Sequence, residues 1–416
     1  MDLKKEIKLS DLLPKRRAKT EAEPKAEKPA KEPRTSRFSR KKRDSAPKEQ
    51  PERTRRAQKP KTAGRTKKLV GLKVGASQIA AARIVNNGSP QLVQVAREEL
   101  DAGIVVGGEL RETEELASVL KRFFRQHKLP RQNVRLGISN NRIGVRAFEI
   151  AGIDDEKQLA NAIKYRAQET LPIPVEEAVL DYQILGERTD EEGVLHRKVL
   201  LVVAYRDLID RYAAACKKAG IRLAGIDLEA FAILRALAPP PGDETAGSAI
   251  VVVNVGHDRT TFAVSDGKTC EFTRVLDWGG RSLDLGIAKA LDLSPSEAAP
   301  LKLALSLAEP SIPAGLTSEQ ADRVREAVVR EVHEFARELV SSLQFYQSQP
   351  GSLGIGEIVL TGGTAQLPGL AAELSRLLGV RARVGDPLAH VKVGKKVDRE
   401  QQLGSLTSAI GLGIES

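Results

Sequence analysis

A chain of 416 residues, 41% of them hydrophobic, is long enough to bury more than one hydrophobic core. Two cysteines that lie far apart and five histidines without ligand spacing exclude a disulfide framework and a zinc site. No apolar run approaches the roughly 20 residues of a membrane-spanning helix, and the charged start of the sequence lacks the apolar core of a signal peptide. We therefore predict a cytoplasmic protein that reaches a membrane only through a partner.

The positive charge of the sequence lies in its first 68 residues. They hold 25 Lys and Arg against 10 Asp and Glu, a net charge of +15, whereas the rest holds 41 against 45, a net charge of −4. Because residues 1–68 also contain almost no large apolar side chains after Leu13, we predict a disordered basic tail. Such a tail is suited to contact an anionic membrane surface or, by the same electrostatics, nucleic acid.

One apolar island interrupts the tail at residues 7–14. Ile7, Leu9, Leu12 and Leu13 supply its apolar side chains, and a proline ends it. The pattern is typical either of a short docking motif or of a frayed piece of helix, and both interpretations follow from the residues.

Two copies of one strand pattern follow the tail. Each copy is a strand, a turn that begins with glycine, a second strand, a second turn with glycine, and a third strand. The first turns begin at Gly75 and Gly256, 181 positions apart. The predicted strands are residues 69–74, 78–85 and 91–96 in the first copy and 249–255, 260–264 and 270–276 in the second. This repeat indicates a duplicated domain.

Helical patterns come between and after these strands. Apolar stripes at helical spacing predict a helix that begins near Glu112, another over about residues 318–347, and a third over 368–378, after a turn at 361–364. Strands that lead into helices in two similar halves predict an α/β fold whose lobes face a common cleft.

The two first turns and the turn at residues 361–364 have the composition of phosphate- and nucleoside-binding loops. A strand that ends in a Gly-rich turn leaves backbone N–H groups that can hold phosphate oxygens, and two adjacent glycines let an adenosine lie against the backbone. Each turn alone is more typical of a plain hairpin. Their order along the chain is what favours a nucleotide site between the lobes.

With these turns in this order, the sequence resembles the actin-like superfamily and, within it, the PilM family of type IV pilus assembly proteins, which is itself similar to the division protein FtsA. The resemblance covers about residues 69–413. The Pro-Ile-Pro of residues 172–174, followed by Asp181 and Tyr182, is its most PilM-like part. The segments that carry it are residues 165–169, 171–174, 180–183, 220–221, 226–230, 272–274, 279–280, 358–363, 367–370 and 409–412.

The resemblance implies a domain organisation. It predicts an actin-like (RNase H-like) α/β fold of two lobes, with duplicated halves and a PilM-type inserted subdomain, behind the disordered tail. The first lobe would span residues 69–248, with the insertion at about 146–225. The second would span 249–416, with an outer subdomain at about 284–352 and its last residues returning to the first lobe.

The resemblance also implies partners. Family members bind the short cytoplasmic N-terminus of the inner-membrane protein PilN in a groove of the first lobe, and they form a ring that couples PilN and PilO to the pilus motor ATPase. We therefore expect a PilN-like partner, indirect contact with a PilO-like protein and the motor, self-association into a ring, and a peripheral place at the inner membrane.

The predicted nucleotide site departs from that of ATP-hydrolysing relatives. In those relatives an Asp precedes each phosphate turn and holds Mg²⁺, whereas Lys73 and Asn254 stand at these positions here. Mg²⁺ requires hard anionic ligands, so we expect no carboxylate to anchor it between the turns, weak or absent ATP binding, and much slower hydrolysis. The candidate nucleotide-contacting residues are Lys73, Gly75, Ser77, Asn254, Gly256, Thr260, Lys302, Gly362, Gly363 and Thr364.

Two further positions bear on this site. The ribose-holding Glu-x-x-Lys of the relatives becomes Ala299 with Lys302 retained. Lys73 would either face phosphates in place of the metal or point to solvent, and both alternatives are compatible with its position. No catalytic or metal-ligating residue is predicted.

Three functions are compatible with the sequence. The first is a non-catalytic scaffold of a type IV pilus or pseudopilus, the second an active ATP-binding member of the same family, and the third a nucleic-acid binder that uses its basic tail. The net charge of −4 beyond the tail disfavours the third. As a further hypothesis, residues 7–14 loosely resemble the docking segment of PilN and would occupy the groove of their own or a neighbouring chain.

Overall fold

The computed structural model describes residues 67–153, 155–170, 174–238, 247–309, 315–395, 397–398 and 403–415. The predicted tail through residue 66, with its motif at 7–14, and the Leu-Pro-Ile of residues 171–173 lie outside these described residues. The first strand begins at Lys67. Lys67 and Lys68 therefore belong to the fold and not, as predicted, to the tail.

Strands and helices alternate along the described residues, and the long helix α7 has the predicted bounds. The strands are β1 Lys67–Val74, β2 Gln78–Asn87, β3 Ser89–Glu99, β4 Val105–Val106, β5 Glu109–Leu110, β6 Val134–Ile138, β7 Ile143–Ala151, β8 Ala178–Thr189, β9 Leu195–Tyr205, β10 Leu223–Leu228, β11 Ser248–Val255, β12 Thr260–Ser265, β13 Cys270–Leu276, β14 Gly354–Thr361, β15 Ala382–Val384 and β16 Lys392–Val393. The helices are α1 Thr113–Gln126, α2 Glu156–Thr170, α3 Arg206–Lys218, α4 Glu229–Leu237, α5 Gly280–Leu291, α6 Pro295–Leu303, α7 Ser318–Gln347, α8 Leu370–Leu378 and α9 Thr407–Gly413.

Two sheets repeat one topology. The first has the strand order β10-β6-β1-β2-β3-β16, and the second has the order β13-β12-β11-β14-β15. In both, the opening strand runs antiparallel to the strand that follows it and parallel to a strand that arrives later, β6 or β14. Strand order and direction therefore confirm the predicted duplication.

Strand β11 shows why the central strands are almost entirely apolar. All of its residues after Ser248 are buried. Val251 and Val253 belong to the core that α5 and α7 cover, whereas Ile250 and Val252 belong to a second core that α4 covers. A strand covered on both faces needs apolar side chains at successive positions, unlike a half-exposed strand, which alternates.

A third sheet lies between β6 and β10 in the chain and forms an inserted subdomain. Its order is β7-β9-β8, with antiparallel neighbours. One face shares a core with α2, represented by Ile163 and Val199, and the other face, with Leu200, joins the core of the first sheet. Lys198 of β9 pairs with Glu271 of β13 at 3.0 Å, so the inserted subdomain also contacts the second sheet.

The longest helix, α7, is amphipathic. Thr317 caps its N-terminus, because the Thr317 side chain accepts from the backbone of Gln320 and the Gln320 side chain bonds back to the cap residue. Val324, Val332 and Phe335 lie on its buried face. Across the described ranges, no helix is long and apolar enough to cross a bilayer.

The last helix, α9, lies very close to the first sheet and to α4. A Cβ atom at Gly71 of β1 would stand 2.0 Å from the carbonyl oxygen of Ala409. One at Gly411 would stand 1.8 Å from the carbonyl oxygen of Ala232. Glycine at these two positions lets backbone meet backbone, which seats α9 on β1 and α4.

Gly411→Ala is predicted to displace α9 and to lower the free energy of unfolding by about 2–4 kcal/mol, since the added methyl group would overlap a fixed carbonyl oxygen. Urea unfolding followed by circular dichroism measures the change. Gly144→Ala in β7 is the matched control, because nothing lies within 4 Å of a Cβ atom there. Equal stability of the two variants would contradict the close seating of α9.

Candidate functional site

The first turn of each sheet closes in the same way. The Gly75 N–H donates to the carbonyl oxygen of Gln78 at 2.9 Å, and the Gly256 N–H donates to that of Arg259 at 3.0 Å. A Cβ atom at either glycine would press on the same acceptor, at 3.2 Å and 2.7 Å respectively. These two N–H groups are therefore bonded within the turns, although the sequence predicted N–H groups that are free to hold phosphate.

A buried carboxylate lies between the two strands that lead into these turns. It belongs to Glu229, the first residue of α4, which is 6% exposed. The carboxylate accepts hydrogen bonds from the Lys73 ammonium, from Asn254 Nδ2 at 2.5 Å, from Ser408 Oγ at 2.6 Å and from Thr261 Oγ1 at 3.4 Å. These five residues are called the Glu229 junction below.

The Glu229 junction bears on two expectations. We expected no carboxylate to anchor Mg²⁺ between the turns. A carboxylate does lie there, from a point 156 positions away from Lys73 in the sequence, but it is paired with the Lys73 ammonium. The alternative in which Lys73 points to solvent is wrong, since its side chain is 18% exposed and forms an ion pair with Glu229. Asn254 is 3% exposed and lies against the same carboxylate.

The charge of Glu229 is maintained by its neighbours. Burial by itself raises the pKa of the Glu229 carboxyl, but the adjacent Lys73 ammonium, together with hydrogen bonds from Lys73, Ser408 and Thr261, outweighs burial and holds the pKa below its ordinary 4.5. Glu229 is thus ionised at neutral pH. An ionised carboxylate can only accept hydrogen bonds, and every partner at the junction offers a donor.

The residues of the Glu229 junction do not fit a divalent metal ion. Mg²⁺ takes several oxygen ligands in octahedral geometry, whereas this carboxylate is already neutralised by an ammonium in direct contact. Asn254 directs its amide nitrogen at Glu229 and not its oxygen. Within the part of the chain that the structure describes, no group of three or more His, Cys, Asp or Glu residues could hold a metal.

A second polar group surrounds the N-terminus of α5. Thr364 Oγ1 donates to the carbonyl oxygen of Gly256 at 2.9 Å, and Lys302 Nζ donates to the carbonyl oxygen of Gly280 at 3.2 Å. A Cβ atom at Gly280 would stand 2.6 Å from Thr364 Oγ1 and 3.3 Å from Lys302 Nζ. Three predicted residues, Gly256, Lys302 and Thr364, are thereby brought together in the second lobe.

Lys302 has a carboxylate partner that the sequence did not reveal. Its Nζ atom lies 2.8 Å from the carboxylate of Asp284, a residue of α5 that is 3% exposed. By the resemblance, position 299 would hold a ribose-binding glutamate, and it is Ala299 here. Asp284, one helical turn after the start of α5, gives the Lys302 ammonium a buried negative partner.

Gly362 and Gly363 form the turn beside this second polar group. Gly362 has a φ of 96°, and a Cβ atom there would stand 2.3 Å from the carbonyl oxygen of Val255, so the turn is packed against the end of β11. At Gly363 nothing lies within 4 Å of a Cβ atom. The turn therefore has one packed side and one open side, and contact of a nucleoside with the open side stays a prediction.

Two predicted residues make hydrogen bonds within the fold. Thr260 is fully buried, and its hydroxyl donates to the carbonyl oxygen of Trp278 at 2.8 Å. The next residue of the strand, Thr261, is the one that joins the Glu229 junction, because successive side chains of a strand point to opposite faces. Ser77 contributes its carbonyl oxygen to a backbone hydrogen bond with the residue that follows β3.

Two sheets of one topology, meeting where their turn-bearing strands end, define an actin-like α/β fold of two lobes. Among solved structures, a chain of a PilM-PilN type IV pilus biogenesis complex is similar at a TM-score of 0.70 and 23% identity, over 83% of this chain and 97% of that chain. MreB5 of Spiroplasma citri bound to ADP is similar at a TM-score of 0.47 and 12% identity, over 83% of this chain and 95% of that chain.

The family follows from a match to residues 71–416. The matching family model is described as type IV pilus assembly protein PilM, so the chain belongs to the PilM family. The cell division protein FtsA of Escherichia coli (strain K12) is 26% identical in an alignment of length 361, and the match covers 77% of this chain and 84% of FtsA. The resemblance inferred from the motifs is confirmed.

Lys73→Met is predicted to lower the free energy of unfolding by about 3–5 kcal/mol, because it leaves the Glu229 carboxylate buried without its counter-ion. The double variant Lys73→Met, Glu229→Gln removes both charges and should lose less than the two single variants combined. Guanidinium unfolding of the three variants measures this coupling. Strictly additive losses would show that the two side chains do not stabilise each other.

The lowered pKa of Glu229 predicts a loss of stability in acid. A carboxyl whose folded-state pKa lies below 4.5 stabilises the fold above that value, and the stabilisation disappears as the pH falls through the folded-state pKa. In Lys73→Met we expect burial to raise the pKa of the Glu229 carboxyl. The contribution of Glu229 to stability then falls as the pH rises. Thermal unfolding from about pH 3 to about pH 7 compares the two slopes, and identical slopes would contradict the prediction.

Proposed function

We propose that the chain is a cytoplasmic scaffold of a type IV pilus or pseudopilus assembly machinery, which binds the N-terminus of a PilN-like inner-membrane protein and does not hydrolyse ATP. Membership of the PilM family supports a role in pilus assembly. The similar solved chain belongs to a PilM-PilN complex, which supports a PilN-like partner. Through that partner the chain would lie at the inner membrane and would meet a PilO-like protein and the motor ATPase indirectly.

The Lys73–Glu229 ion pair is the observation that carries the non-catalytic part of this proposal. Phosphoryl transfer depends on a metal ion that neutralises phosphate oxygens and positions them. Here a protein ammonium contacts the carboxylate that lies between the turns, and the two side chains are only 18% and 8% exposed. The charges cancel within the protein, which leaves no anionic ligand for a metal at this position.

Titration with the N-terminal peptide of the cognate PilN-like protein tests the scaffold function. We expect one peptide to bind per chain with about micromolar affinity, and we expect ATP and Mg²⁺ to leave that affinity unchanged. Calorimetry measures both, with a scrambled peptide as the control. Failure of the native peptide to bind would refute the scaffold function.

Deletion of residues 1–14 should raise the affinity if the motif at 7–14 occupies the groove.

An active ATP-binding member of the PilM family is the second candidate. The meeting of Gly256, Lys302 and Thr364 beside the open side of the turn at Gly363 favours it, because this group does not depend on Glu229. Calorimetric titration with ATP, with and without Mg²⁺, separates the two candidates. The scaffold proposal expects no Mg²⁺-dependent binding, whereas tight Mg²⁺-dependent binding with release of phosphate would establish the ATPase.

Restoring carboxylates at the two turns is the complementary experiment. Lys73→Asp with Asn254→Asp adds two carboxylates near Glu229, and hard anionic oxygens are the ligands that Mg²⁺ prefers. We expect millimolar MgCl₂ to raise the melting temperature of this double variant and to leave that of the wild type unchanged. The control is Lys73→Asn, because asparagine has nearly the shape of aspartate but no negative charge. No Mg²⁺ effect in the double variant would contradict the assignment of these two positions.

A further inference from the structure

The Glu229 junction joins the two lobes as well as the two turns. Lys73 belongs to β1 of the first sheet, whereas Asn254 and Thr261 belong to β11 and β12 of the second sheet. Glu229 begins α4, the helix that covers a core of the second sheet. Ser408 comes from α9, which is seated on the first sheet. One carboxylate therefore holds side chains of both lobes, with distances of 2.5 Å to Asn254 Nδ2 and 3.4 Å to Thr261 Oγ1.

Two neutral contacts flank the junction. Ser139, directly after β6, shares a hydrogen bond of 2.7 Å with Thr261 of the second lobe. Thr361, at the end of β14, shares one of 2.7 Å with Thr407 of α9. Hydrogen bonds to a charged group are about twice as strong as neutral ones. The carboxylate of Glu229 is therefore the strongest of these polar links between the lobes.

We propose that the Lys73 ammonium is a built-in cation that locks the two lobes in one arrangement without any ligand. It keeps the buried Glu229 carboxylate ionised, and the ionised form accepts the hydrogen bonds of Asn254, Ser408 and Thr261 more strongly than a protonated carboxyl would. Without Lys73 the carboxyl would take up a proton or draw in water, and the links to the second lobe would weaken. The inference rests on the proposed function, because a scaffold that does not hydrolyse ATP does not need its cleft to open and close.

Helix α9 connects the Glu229 junction, the proposed lock between the lobes, to the rest of the fold. Ser408 lies in this helix, and the helix is held against β1 through Gly71 and against α4 through Gly411. Asn254 lies in β11, whose side chains enter both cores of the second lobe. A loosened junction should therefore expose the backbone amides of α4, α9 and β11.

Hydrogen exchange of the full chain, followed by mass spectrometry, tests the lock. We expect ATP with Mg²⁺ to leave exchange in α4, α9 and β11 of the wild type unchanged. Lys73→Met should speed exchange in these elements by at least about a hundredfold, the lower end of the ratio expected when a buried ion pair loses one partner, and leave α2 unaffected. Lys218→Met is the matched control, because it removes a half-exposed lysine that pairs with Glu114, and it should behave as the wild type.

Two results would overturn the lock. One is exchange in Lys73→Met that equals the wild type. The other is a change across α4, α9 and β11 of the wild type when ATP and Mg²⁺ are added.

Lys73→Ala provides a second measurement if Lys73→Met does not fold. The space left by the lysine side chain can admit n-propylammonium, which brings back the charge without the tether. If propylammonium chloride restores protection from exchange, or folding itself, and sodium chloride does not, the result supports a built-in cation. The same behaviour in both salts would count against it.

These outcomes are independent of those for the proposed function. A chain that binds the PilN-type peptide but changes its exchange with nucleotide would refute the lock alone. A chain that keeps its exchange pattern but ignores the peptide would refute the scaffold function alone.

Discussion

An ionised carboxylate enclosed between two lobes is the constraint on which the rest of this structure depends. Burying an unpaired carboxylate costs several kcal/mol, so the charge of Glu229 depends on the ammonium of Lys73 and on hydrogen bonds such as those from Asn254 and Ser408. These partners come from the first strand, from the matching strand of the repeat and from the last helix. The close seating of α9 on glycine backbone therefore places Ser408 at the cleft as well as packing α9 into the core.

The duplicated topology places the two turns symmetrically, but the side chains make the cleft asymmetric. A cation precedes the first turn and a neutral amide precedes the second, and both meet the carboxylate that begins α4. The second lobe keeps a separate polar group in which Asp284 balances Lys302. An enclosed ionic centre and an open turn at Gly363 thus lie in one cleft without sharing a charged residue.

Much of the fold could be predicted from the sequence because its signals are local: strand and turn spacing indicated the repeat, and an apolar stripe indicated α7. The partners of the site residues could not be predicted in this way. Glu229 lies 156 positions from Lys73 and looks locally like the acidic first residue of a helix. The sequence predicted Thr260, whereas the junction uses Thr261. Strand β12 is buried at every position, so its sequence lacks the alternation that would tell one face from the other.

The packing of Trp278 gives the molecule an optical probe of its own. The indole lies parallel to the ring of Phe335 with 4.0 Å between centroids, is 5% exposed, and is the only tryptophan in the sequence. Its fluorescence therefore observes the second lobe alone, while far-ultraviolet dichroism observes both. Coincidence or separation of these two signals shows whether the halves of a duplicated molecule come apart together or one before the other.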